Sequence, residues 1–185
     1  MATIDVLTVI DPIGFADNSL PLTTPVDQIP MVSTSLLGTN VRMIGETGSV
    51  DYGQATWNLK INVRRGDIVR WWDTTVVQGT NEDMIIVGFY KYTSWDTVMG
   101  PASAQTMGVG MAYIQSGFSL SNLSNLKFAM NSFQNNYIEA TVRGDAPIGQ
   151  VASYYLIVAK LDVSQVGTPV LKGLYRFDPS VRVIA

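Results

Sequence analysis

The chain has 185 residues, 12 basic and 15 acidic, a net charge of −3, and neither cysteine nor histidine. Those absences exclude disulfides, thiolate zinc sites, iron–sulfur clusters, Cys nucleophiles, Ser-His-Asp triads and His-ligated metals. With 15% charged residues against roughly 25% in an average domain, and no basic excess, the chain does not suit nucleic acid, and its weakly charged surface favours self-association.

The length suits one domain spanning residues 1–185, with a core large enough to fold without covalent staples. Met1 to Asp11 has no basic segment, and Asp5 interrupts its apolar run, so it does not read as a secretory signal. No stretch approaches the ~20 apolar residues of a membrane span, and the expected location is the cytoplasm. Asp11 to Pro30 carries Pro12, Pro21, Pro25 and Pro30 and reads as an extended surface loop.

Strand signals follow. Thr56 to Val63 alternates, with Trp57, Leu59, Ile61 and Val63 on one face and Thr56, Asn58, Lys60 and Asn62 on the other. Arg65-Gly66 turns the chain into a strand over Asp67–Asp73, and Met84–Tyr92 is a further β-branched and aromatic run. Leu123, Leu126, Met130 and Phe133 recur at helical spacing, so a short helix is expected over 122–133; its rival is an irregular loop, since Asn and Ser are poor helix formers. Tyr137–Val142, Val151–Leu161, Leu171–Phe177 and Val181–Ile184 complete the set of strands. Strands without alternating helices imply an all-β fold, an antiparallel β-sandwich with that one short helix.

Two turns share a string, Val63-Arg64-Arg65-Gly66-Asp67 and Val142-Arg143-Gly144-Asp145. Each contains Arg-Gly-Asp, an adhesion tripeptide, but Gly-Asp is also an ordinary turn pair, and the turn is the simpler reading.

The densest polar and aromatic cluster is Arg70-Trp71-Trp72-Asp73 followed by Asn81-Glu82-Asp83. Adjacent Trp71 and Trp72 in a strand point to opposite faces, leaving one indole for the core and one for the surface. An exposed indole beside Asp73, Asn81 and Asp83 has the composition of a sugar-binding surface: the ring takes the apolar face of a pyranose and the oxygens take its hydroxyls. The same oxygens suit calcium, although their spacing does not match the twelve-residue calcium loop. A solvated loop is the simpler account of these residues. No acidic pair sits in a glycosidase motif and no Gly-rich phosphate loop is present, so no catalytic residue is nominated and an enzyme is not expected.

The motifs Val9-Ile10-Asp11, Gly66-Asp67-Ile68-Val69-Arg70-Trp71 and Gly173-Leu174-Tyr175-Arg176-Phe177-Asp178-Pro179 occur in the order of one known group. In them, and in its length, the chain resembles the PixA/AidA inclusion-body protein family, on its PixA side. The resemblance implies a bacterial cytosolic protein that self-assembles into crystalline inclusion bodies with a structural or storage role, without a cofactor. Its partner is then itself, with dimers as the expected building block. A carbohydrate-binding module, calcium-assisted or not, is the alternative, with a glycan as partner; neither reading involves nucleic acid or membrane. Many members of that family carry a His and an aromatic-Met pair where Leu37 and Arg42-Met43 stand here. The resemblance therefore gives no support to a ligand site built on that His.

Overall fold

Alternation is visible from the first strand, β1 (Thr3–Ile10), where Ile4, Val6, Thr8 and Ile10 turn inward and are at most 5% exposed. The computed structural model describes residues 1–76, 81–114, 127–165 and 167–185. Along the chain follow α1 (Thr34–Asn40), β2 (Val41–Gly45), β3 (Val50–Tyr52), β4 (Lys60–Val63), β5 (Ile68–Thr75), β6 (Glu82–Lys91) and α2 (Trp95–Val98). The remaining strands are β7 (Ser103–Ile114), β8 (Phe128–Thr141), β9 (Val151–Asp162), β10 (Val170–Phe177) and β11 (Ser180–Val183).

They form a two-sheet sandwich. One sheet has the order β2-β1-β5-β8-β7 and the other β10-β9-β11-β4-β3, with β6 paired to β9 beside it. Leu59, Ile61 and Val63 face the interior, each 1% exposed, but the strand is shorter than the alternation over Thr56–Val63 suggests: β4 begins at Lys60, and Trp57 sits in a bend, half-buried. Between the sheets lies an aromatic centre in which Trp71, Phe89, Trp95 and Tyr154 have ring centroids 4.5 to 6.2 Å apart. Tilted and edge-on pairs of this kind contribute about 0.5–1.5 kcal/mol each beyond their area burial.

The sandwich is mixed rather than purely antiparallel. β1 runs parallel to β5 from Thr3↔Ile68 to Ile10↔Thr75, and β11 runs parallel to β4. Parallel neighbours need a long crossover; here the chain leaves β1, builds α1, β2, β3 and β4, and only then returns as β5. The Pro-rich stretch is irregular as expected, with one 3-10 turn at Val26–Gln28.

The helix expected over 122–133 is not found where it can be assessed. Residues 122–126 lie outside the described residues, and Phe128–Phe133 belong to β8. The physical reason is pairing: β7 and β8 keep an unbroken register from Ser103↔Glu139 to Ile114↔Phe128, whereas the Asn and Ser of this segment favour no helix. Described helices lie elsewhere, including α1, whose cap Ser33 accepts a hydrogen bond from Leu36 N–H on its side-chain oxygen.

Candidate functional site

β5 carries Trp71, Trp72 and Asp73, and its pairing with β1 and β8 decides where each points. Trp71 turns inward and is 0% exposed; its Nε1–H donates to the Tyr154 hydroxyl at 2.6 Å. Trp72 faces the other way, half-buried, with its Nε1–H donating to Asp5 at 2.7 Å. Its ring stacks on Tyr137 at 4.3 Å between centroids. Tyr137 thus already occupies a face of the indole that a sugar ring would use.

Asp73 and Asp83 do come together. They line a cavity of about 660 Å³ with Glu82, whose floor and walls include Leu7, Phe133 and Asn135. The cavity sits where β5, β6 and β8 diverge, because β8 pairs with β5 only from Ile138 to Thr141 and then leaves it. Asn81 does not line it: its side chain is exposed and its backbone carbonyl accepts from Val163 N–H at 2.7 Å. Asp83 accepts from the Thr75 hydroxyl and from Met84 N–H, a local anchor at the start of β6. Burial pushes the Asp73 carboxyl up to about 7, with the Asp83 charge adding to the rise and a backbone hydrogen bond at Ile86 opposing it. Among the described residues no group of three or more acidic side chains converges as a metal centre would. What the cavity offers is hydrogen-bonding oxygen and one carboxyl that changes charge near neutrality.

Glu82 is held from behind by Lys160 at 2.8 Å. Lys160 is 6% exposed and also reaches Asp17 at 3.1 Å and the Phe15 carbonyl at 2.7 Å. Burial pulls this ammonium down, but its hydrogen bonds to Glu82 and Asp17 outweigh that, and its pKa stands above the usual lysine value. The cluster pins the Pro-rich loop to β9 and fixes one wall of the cavity. Its sequence signal is a lone lysine inside the apolar run Val151–Asp162.

Both Arg-Gly-Asp strings are turns. Asp67 is 5% exposed, and its carboxylate accepts from Ala2 N–H at 2.7 Å and Arg64 N–H at 2.9 Å, while Gly66 takes a φ of +84°. Asp145 pairs with Arg143 at 2.9 Å on the surface.

The model of a family described as PixA, inclusion body protein, matches residues 2–183. The crystal structure of an inclusion body protein (PixA) from Burkholderia cenocepacia J2315 is similar in fold, with a TM-score of 0.67 at 18% identity. That likeness covers 98% of this chain and 95% of that one. No curated protein matches.

Proposed function

The chain belongs to the PixA family of inclusion body proteins, and from that premise we propose that it is a structural or storage protein whose main property is ordered self-assembly into intracellular inclusions. The family match over residues 2–183 carries this reading. Two physical features support it: a low charge content, which weakens repulsion between copies, and a ribbon of strand exposed on both faces. The carbohydrate reading has no exposed indole to rest on, since Trp71 lies in the core and Trp72 is stacked under Tyr137.

Thin-section electron microscopy of late-growth-phase cells producing the chain tests the proposal. A regular lattice inside the inclusions is expected. Dispersed protein, or inclusions without periodicity, would overturn it.

A further inference from the structure

Resting on that self-assembly reading, we infer that β7 is the seam through which two copies join, edge to edge and antiparallel about a two-fold axis. The argument begins with how the exposed edges of the two sheets are protected. An unprotected edge strand is a template for another strand, and natural proteins blunt it with short length, charge, bulges or a covering loop.

Each of the other edges here has such a device. β10 is covered by the Pro-rich loop: Lys172 O accepts from Asn18 and Ser19 N–H, the Asn18 amide pairs with Leu174, and Arg176 exchanges hydrogen bonds with Pro30 O and Val32 N–H. β2 is covered by Thr56 against Met43 and by the Gln54 amide, which both donates to and accepts from Gly45. β3 has three residues. β6 begins Glu82-Asp83, ends in Lys91, and has a register shift against β9 between Ile86 and Gly88.

Among the described residues β7 has none of these. It runs twelve residues, Ser-Ala-Gln-Thr-Met-Gly-Val-Gly-Met-Ala-Tyr-Ile, with no charge, no proline and no register shift against β8. Among the described residues its backbone bonds only to β8. Beyond Tyr137 the β7–β8 ribbon has also left β5, and Met107, Met130 and Phe133 are 40%, 73% and 41% exposed on it. A two-stranded ribbon alone in water is marginal and gains from a third strand.

The chemistry of the edge selects its occupant. Residues 103–114 and 128–138 carry no formal charge, so a copy of a chain with net charge −3 meets itself there without like-charge repulsion. A two-fold axis needs only this one edge, because the same strand serves both partners. Twelve residues at about 3.4 Å each give a seam roughly 40 Å long. Antiparallel pairing over that length makes on the order of ten interchain hydrogen bonds, the number found in a standard stable interface.

The chain has no cysteine, so single cysteines can report the seam directly. They are placed in turn at each position from Ala104 to Ala112 in the full chain, with Ser35→Cys on α1 as the control. Each variant is checked by circular dichroism and then oxidised, beside sizing of the unmodified chain. Covalent dimers should peak at one or two neighbouring β7 positions, where the axis passes, and fall away on both sides. If the unmodified chain sizes as an oligomer while no folded β7 variant crosslinks above the control, the seam lies elsewhere and this inference fails. Crosslinks to a different protein would also refute it. If the unmodified chain is monomeric throughout, the self-assembly reading fails first and takes the seam with it.

Discussion

The Trp71 indole N–H donates to the Tyr154 hydroxyl at 2.6 Å, tying β5 of one sheet to β9 of the other inside the aromatic centre. Both side chains are at most 1% exposed. Burial holds the Tyr154 phenol far above its ordinary value, so it stays protonated throughout the working range. Tyr154→Phe keeps the packed ring and leaves the indole N–H without its partner. The expected cost is about 1–3 kcal/mol in urea unfolding, with an unchanged m-value. A loss under a few tenths of a kcal/mol would mean that the inter-sheet bond adds nothing.

Asp73 predicts a pH dependence. Its carboxyl titrates near 3.8 unfolded and about 7 folded, raised chiefly by burial. Between those values the native state keeps a proton that the unfolded chain has released, so this group lowers stability as pH rises through the window. Below the lower value there is no penalty; above about 7 it is complete, on the order of 4 kcal/mol at 1.36 kcal/mol per unit. Asp73→Asn should match the unmodified chain in stability near pH 4 and exceed it increasingly up to neutrality. A difference that does not change with pH would contradict the assignment.

Lys160 joins parts of the chain that sequence order keeps far apart, since Asp17 and Phe15 lie in the Pro-rich loop and Glu82 opens β6. Removing it leaves a buried gap and uncompensated acceptors. Because Asp17 and Glu82 keep contact with water, Lys160→Ala should cost about 1–3 kcal/mol, and limited proteolysis should then cut first between Asp11 and Pro30. Lys160→Met, which restores the packing, should recover part of the stability without restoring protection of the loop. Equal protection in all three forms would remove the cluster's role as an anchor.

Where a segment had a strict period of two or a dense apolar run, its sequence predicted the strand and its inner face, as at Leu59, Ile61 and Val63 and along β9. The opposed directions of Trp71 and Trp72 follow from the same alternation. Pairings between distant segments were not legible: β1 lies parallel to β5, and nothing local in Thr3–Ile10 specifies that neighbour. β7 went unread because Gly108, Gly110 and its small polar residues give little strand signal, and β8 was misread because Met130 and Phe133 also fit a helical spacing. At the site, the nearness of Asp73 and Asp83 follows from their closeness in sequence although β5 and β6 belong to different sheets, whereas the Tyr137 stack on Trp72 depends on the β5–β8 register.

Self-assembly through an uncharged edge can be blocked by charge without touching the core. Thr106 and Ala112 are both exposed on β7, and Thr106→Lys with Ala112→Lys places two positive charges on each of two edges that would meet. Sedimentation velocity of the unmodified chain and this variant, over one concentration series, is the most direct measurement. The unmodified chain should rise with concentration from the 20.2 kDa protomer to dimers and larger species, and the lysine variant should remain a folded protomer. A protomer mass for the unmodified chain at every concentration would contradict the central claim.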